Sequence, residues 1–547
     1  MISVDRGLKN LKRVRQIIGV FIKYGFKDTV DRLPNARRFI PAKIQTQFLK
    51  GSSPERLRLA LQELGTTFIK LGQILSVRTD MLPDDLTREL SKLQDEVESI
   101  PFKEIKGVIE KELNAPLTTL FTSFSQKAIA SASLAEVHRA TLKGNHKVVV
   151  KVQRPNVKEI TETDLSILGT IAGWMEKEIP EAKRYEPLLM VKELERNLKS
   201  ELNFTEEGRA IDKFRNNFKY DESVIVPEVY REFSTSKLLT MEYIKGVKIT
   251  DPSVPERMGL SQKEIARKGV DFSFKQIFEH RFFHADPHPG NILITKDGKI
   301  SLIDFGLMGV IDEETLGLLG ELMVAGINKD TETMTEILIE LGIAGEKVNR
   351  QELRANLRDF VERYYGATLS QIDLKDVLND LFKITRRYGL KMPRSLLLLA
   401  KTASTLEGLI FQLDPEFSII EQLEPYIHRL IKRRYSPKRV LENMSKILRI
   451  YYRLFKKLPG DLTSILREIR DGTLKVELEH KGLEDLITHS ERSANRLSLS
   501  LIIAALIVGS TLVLQTGKLF LLGIIGFIIT GIFGIGLIIA VLRSGRL

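Results

Sequence analysis

Cysteine is absent from all 547 residues, which excludes disulfides, thiolate zinc sites and cysteine nucleophiles while leaving the compartment open. The net charge of +12 comes without an arginine-rich low-complexity tail, a zinc knuckle or an aromatic RNA-binding motif. Phosphate-bearing ligands or anionic lipid therefore account for it better than nucleic acid. Internal repeats and low-complexity tracts are missing too, and so is a cleavable signal peptide. Lys9, Lys12, Arg13 and Arg15 lead only into a short apolar run, Ile17–Ile22. That pattern reads as a solvated helix packing on its own domain, with an amphipathic membrane-surface helix as the alternative. What is present, 43 % hydrophobic and 28 % charged residues, suits a folded chain with room for two or three domains.

Two long apolar runs, Leu497–Gln515 and Leu519–Leu542, each reach the roughly 20 helical residues needed to cross a hydrocarbon core. The short Gln515-Thr516-Gly517-Lys518 connection predicts a helical hairpin. Gly523, Gly526, Gly531 and Gly534 would let its two helices approach closely. Arg492 and Arg496 precede the pair and Arg543 and Arg546 follow it, against Lys518 between them, which predicts residues 1–496 on the cytoplasmic side.

The strongest chemical signal is His284-Ala285-Asp286-Pro287-His288-Pro289-Gly290-Asn291, followed thirteen residues after Asn291 by Asp304-Phe305-Gly306. Phosphoryl transfer from a nucleotide needs an acid beside the attacking oxygen and two oxygen ligands for Mg²⁺. Asp286 fits the first role; Asn291, five residues on, and Asp304 fit the second. Between them Ile292–Ile294 and Ile300–Ile303 flank Lys296-Asp297-Gly298-Lys299, a predicted tight hairpin that places all three at one cleft. His284 and His288 read as structural loop residues rather than metal ligands.

Residues 1–125 read as helical, with Leu57, Leu61, Leu64, Phe68, Leu71 and Leu75 forming one continuous stripe after Pro54. Strands are expected at Ala135–Leu142, Val148–Val152, Val224–Val229 and Lys237–Ile244, a helical stretch at about 158–218, and mostly helices over 261–490. This is an α+β, bilobal, kinase-like layout: a helical extension over 1–125, a small lobe over 126–245 and a helical lobe over 246–476. A linker at 477–496 and the membrane helices at 497–542 complete it. Lys151, within the apolar run 148–152, needs a partner for its ammonium and fits the strand lysine that orients α- and β-phosphates. Glu207 is its expected acid, with Glu201 the competitor. Glu242 and Tyr243 fit a hinge whose backbone binds adenine. Ala130, Ser131, Ala132 and Ser133 stand where a protein kinase has glycines, and their Cβ atoms restrict approach to phosphates.

With these residues in place, the chain resembles the UbiB family of atypical, protein-kinase-like proteins over roughly residues 10–430. Lys70-Leu71-Gly72-Gln73 matches its Lys-x-Gly-Gln signature, and the loop at 130–133 its alanine-rich loop. Glu201-Leu202-Asn203 stands for Glu-x-Asp, with Asn203 departing from the family aspartate. Glu407-Gly408 and Asp414-Pro415 match a late segment, and the paired C-terminal helices match the anchor of bacterial members. The resemblance implies that Lys70 and Gln73 form a regulatory element over the cleft, with Lys70 paired to Glu201. It implies ATP or ADP with Mg²⁺ as cofactors, and a membrane-bound ATPase or kinase in a prokaryotic inner membrane. It further implies support of ubiquinone-type quinone biosynthesis, with the bilayer, isoprenoid quinone precursors and other quinone-biosynthesis proteins as partners.

The chain runs from Asp304-Phe305-Gly306 directly into Leu307–Asp312 and a helical pattern, without a long activation segment or Ala-Pro-Glu. A protein substrate is therefore not expected. A small-molecule or lipid phosphotransferase is the alternative, because His284-x-Asp286-x-His288-x-Gly290-Asn291 also resembles the loop of aminoglycoside and choline kinases. A nucleotide-sensing scaffold is a third.

Overall fold

The computed structural model describes residues 2–32, 51–78, 81–93, 99–344, 348–364, 373–434, 483–515 and 520–543, with scattered positions between 444 and 471. The chain divides into two compact units, 1–441 and 442–547.

The first unit opens with helices α1 (Ile2–Lys23), α2 (Ser53–Leu64), α3 (Thr66–Ser76) and α4 (Asp84–Leu90). The apolar stripe predicted to be one helix is two. Gly65 sits between α2 and α3 at φ 91° and ψ −161°, a conformation open to glycine, and the apolar spacing simply resumes beyond it. Ile17, Val20, Ala60, Leu61, Leu64, Phe68, Leu90 and Leu93 form the core of this extension, joined by Ile167. Gly72 is required there, since a Cβ would run into Leu93.

After α5 (Phe102–Leu113) comes a four-stranded antiparallel sheet of order β1 (Phe121–Ser131), β2 (Ala135–Leu142), β3 (Lys147–Gln153) and β4 (Leu238–Glu242). β1 begins inside the 1–125 segment expected to be helical, and its two-residue alternation is broken by register shifts between Phe121 and Ala130. The predicted helical stretch at 158–218 is three helices, α6 (Val157–Glu178), α7 (Pro187–Glu201) and α8 (Phe204–Asn217), with Pro180 and Pro187 in the first break and Leu202-Asn203 forming the second. The strand expected at Val224–Val229 is reduced to isolated bridges, Val224 with Ile300 and Val229 with Met241. Pro227 lies between them and cannot donate to a ladder.

The larger lobe holds β5 (Gly246–Lys248), α9 (Gln262–Phe274), β6 (Phe282–His284), β7 (Ile292–Thr295), β8 (Ile300–Leu302) and β9 (Met308–Val310). Its later helices include α10 (Glu313–Ile327), α11 (Leu374–Arg387), α12 (Arg394–Leu413) and α13 (Ile419–Arg434). β7 and β8 form the expected hairpin, with Gly298 at φ 71° in its turn. A shared core runs from Val149, Leu239 and Met241 of the small lobe through Phe214 and Phe305 to Leu406 and Ile410 of α12. Glu407 on α12 accepts the Leu374 and Lys375 amides at 2.8 and 2.9 Å, capping α11. Burial raises its pKa.

In the second unit α14 (Leu483–Gln515) and α15 (Phe520–Arg543) pack together. Helix already covers 483–496, where a linker was expected; the rest of that linker and the 516–519 connection lie outside the described residues. Leu497–Leu514 has a mean hydropathy of 2.5, with Leu497 and Leu501 fully outward-facing. Gly526 packs so closely that a Cβ would collide with Ser510, as small residues at a helix interface allow. Gly531 and Gly534 meet nothing within 4 Å and do not serve that purpose.

Candidate nucleotide site

Alternation along β3 sends Val148, Val150 and Val152 to one face and Val149 and Lys151 to the other, toward α8. Lys151 Nζ donates to both oxygens of Glu207, at 2.8 and 2.9 Å, and to Asp304 Oδ1 at 3.0 Å. One cation thus faces two carboxylates. Burial pushes Glu207 up to about 7 against the pull of Lys151, with Asp304 adding repulsion. Burial works the same way on Asp304, but there the Lys151 charge and nearby His284 prevail and hold it well below the usual carboxylate range. The difference follows the partners: Asp304 gains from both Lys151 and His284, while Glu207 also faces the Asp304 charge. For Lys151 the two acids outweigh burial and raise its pKa. Phe305 is buried edge-on against Phe214, 5.3 Å between centroids, and its amide donates to Glu207 Oε1 at 3.4 Å.

The loop carrying Asp286 is set by pairing. β6 pairs with β9, and the Ala285 amide donates to the Leu307 carbonyl at 2.9 Å. His284 is buried; its Nδ1 accepts the Asp286 amide at 2.9 Å, so the neutral ring carries its proton on Nε2. Burial lowers its pKa, against the pull of Asp304 and Asp286. His288 Nδ1 likewise accepts the Gly290 amide, at 3.2 Å. Both histidines serve loop geometry. The Ile303 amide donates to the Asn291 carbonyl at 3.1 Å, which brings Asn291 alongside Asp304. One exposed carboxylate and one amide oxygen suit Mg²⁺, which takes few protein ligands and fills its shell with waters and phosphate oxygens.

The small-residue turn is tighter than its sequence suggests. Ala130 and Ser131 belong to β1, opposite Val137 and Glu136, which leaves the turn proper at Ala132–Leu134. Ser131 Oγ donates to Glu136 at 3.0 Å and accepts from Arg154 at 2.6 Å. Arg154 also donates to the Ala132 carbonyl at 2.9 Å, and Thr66 at the start of α3 donates to the Ser133 carbonyl at 3.1 Å. The Ser131 hydroxyl is thus committed within the protein. At the expected hinge the Tyr243 amide donates to the Lys147 carbonyl at 3.0 Å and the Glu242 amide to the Glu228 carbonyl at 2.8 Å. Both N–H groups are thus taken up within the protein. Glu242 ends a ladder and Tyr243 begins the connection, so their amides are drawn into sheet pairing.

Lys70 Nζ lies 2.9 Å from Glu201, both side chains 17 % accessible, which fastens α3 to the end of α7. Arg78 and Glu193 add a longer contact of 3.8 Å. Gln73 does not join this pair; its Nε2 donates to the Leu93 carbonyl at 3.3 Å. Asn203 caps α8, accepting the Thr205 amide at 3.2 Å. Aspartate and asparagine cap equally well, so the replacement keeps the helix that carries Glu207 in place.

Lys401, from α12, is the site residue that motif spacing missed: its Nζ is 3.2 Å from Asp286 Oδ2. A lone lysine in Leu398-Leu399-Ala400-Lys401-Thr402, 115 residues from Asp286, carries no local signal beyond the cost of burying it.

The ABC1 atypical kinase-like domain matches residues 92–338, the UbiB helical domain 357–418 and the ABC1/UbiB kinase-like C-terminal domain 481–543. A Clostridium pasteurianum protein described as uncharacterized, in the hydrogenase 1 5′ region, is 33 % identical over 98 % of this chain and 99 % of its own. The probable protein kinase UbiB of Xanthomonas campestris pv. campestris (strain B100) is 33 % identical over 88 % of this chain and 89 % of its own. That of Marinobacter nauticus is 32 % identical, over 92 % and 94 %. The solved complex of Rv3197 with erythromycin from Mycobacterium tuberculosis is similar at 22 % identity and a TM-score of 0.46, covering 67 % of this chain and 94 % of its own.

Proposed function

Since this chain belongs to the ABC1/UbiB family of atypical kinase-like proteins, we propose that it is a membrane-anchored ATP-dependent phosphotransferase or ATPase that supports isoprenoid quinone biosynthesis. The observation that carries the reading is the Lys151–Glu207–Asp304 cluster, closed in the arrangement that nucleotide phosphates and Mg²⁺ require. In this reading Lys151 orients phosphates, Asn291 and Asp304 hold the metal, and Asp286 receives the proton of the attacking oxygen. The metal would neutralise charge on the phosphates. Ala132 and Ser133 border the phosphates, and adenine lies along the 242–244 connection.

A small acceptor is favoured over a peptide, although relatives carry the name of protein kinases. Only residues 307–312 separate Asp304-Phe305-Gly306 from α10, too few for a peptide-docking platform, and in this reading the helix held by the Lys70–Glu201 contact lies over the cleft, as the resemblance implies. The apolar terminal helices support anchoring where isoprenoid precursors reside, with residues 1–496 on the cytoplasmic side.

The test is ATP hydrolysis by the full-length protein in vesicles containing anionic lipid, with and without a quinone-precursor mimic, beside Asp304→Asn. Turnover that the mimic or lipid stimulates, and that the variant loses, is the expected result. Phosphate appearing on a soluble alcohol instead would point to a small-molecule kinase. Mg²⁺-dependent binding with no turnover would leave a nucleotide-sensing scaffold and overturn the catalytic roles.

A further inference from the structure

Asp286 sits on an irregular loop, and its side chain is 39 % accessible, so its rotamer is not fixed by packing. Its backbone is fixed: the amide donates to His284 Nδ1, and the carbonyl accepts the His288 amide at 2.7 Å. The carboxylate itself is held by Lys401, whose Nζ approaches Oδ2 at 3.2 Å. Lys401 is well placed for this, because α12 packs against the loop. Leu397, Thr402 and Leu406 are buried, and Thr402 Oγ1 lies 3.5 Å from the His284 carbonyl. Lys151 is already shared between Glu207 and Asp304.

We infer that Lys401 is a positioning residue for phosphoryl transfer: it anchors Asp286 Oδ2 and so presents Oδ1 to the acceptor. The inference rests on the phosphoryl-transfer reading above. In that step the acceptor oxygen bonds to the γ-phosphorus as the bond to the ADP oxygen breaks, its electron pair leaving with ADP. The acceptor proton passes to Asp286. An acid free to rotate would spend little time within hydrogen-bond reach of that proton, and lost orientation is costly in rate.

The experiment is a double-mutant cycle in full-length protein reconstituted in vesicles, with turnover, nucleotide affinity and melting temperature measured for each variant. Lys401→Met is expected to lower kcat by about tenfold or more while the KM for ATP and the Kd for Mg·ADP stay within about twofold. Lys401→Arg, which keeps the cation, restores much of kcat. In an Asp286→Asn background Lys401→Met costs nothing further, because its effect runs through the carboxylate. Should Lys401→Met fail to fold, Lys401→Gln reports in its place. Independent, multiplicative losses in the double variant would overturn the inference, as would an effect confined to KM or Kd. Unchanged kcat in Lys401→Met would overturn it alone, whereas absence of turnover in the wild type overturns the phosphoryl-transfer reading first and this with it.

Discussion

Lys151→Met is expected to abolish nucleotide turnover, by about 10²–10³-fold, and to lower folding stability at neutral pH. The substitution removes the cation between two carboxylates and leaves Glu207, whose side chain is 6 % accessible, facing Asp304. Removing one partner of a fully buried ion pair costs about 3–5 kcal/mol. Here the penalty is smaller, about 2 kcal/mol, because Asp304 keeps contact with water and Glu207 escapes by taking up a proton. That escape gives the prediction a signature: urea denaturation at pH 5.5 finds the variant much closer to wild type than at pH 7.5. Lys151→Arg is not expected to rescue turnover, since a planar guanidinium fork does not fit where a compact ammonium bridges two acids. Wild-type turnover in Lys151→Met would remove the cluster from the chemistry altogether.

Glu207→Gln is expected to remove the pH dependence that this buried acid imposes on stability. Burial raises the Glu207 pKa from 4.5 to about 7, so folding favours its protonated form. A raised folded-state pKa contributes stability that is fully present below 4.5 and is lost as pH rises through about 7. The amide of the variant mimics the protonated acid and can still accept from Lys151, so it loses nothing over that window. Neighbouring groups act elsewhere: the depressed Asp304 costs stability only on strong acidification, and the raised Lys151 only in strong alkali. The stability of Glu207→Gln relative to wild type should therefore grow between pH 5 and pH 8, by on the order of 2 kcal/mol. Parallel curves for the two proteins would mean that Glu207 is ionised throughout.

Much of this site was legible because its chemistry is local. Asp286, Asn291 and Asp304 sit at fixed spacings around a two-residue-period hairpin, and β7, β8 and the Asn291–Ile303 bond are what that spacing requires. Lys151 announced itself as a charge among valines, and the structure sets it beside Glu207 rather than Glu201. What was hidden depends on contacts across long chain separations. Lys401 reaches Asp286 from another helix, and Arg154 and Thr66 tie down the alanine-rich turn from elements without a motif. That the Glu242 and Tyr243 amides are spent on Glu228 and Lys147 was equally hidden, because sheet pairing is invisible in a single strand's sequence. The break at Gly65 was hidden for a different reason: the apolar stripe continues across it in phase.

The central claim is that this cleft binds a nucleotide through a metal held by Asp304 and Asn291. The measurement that tests it most directly is the affinity of purified full-length protein for ADP and ATP, titrated with and without Mg²⁺, beside Asp304→Asn. The account predicts binding that requires Mg²⁺ and weakens at least about tenfold in the variant, with melting unchanged. Equal affinity without the metal, or in Asp304→Asn, would contradict it.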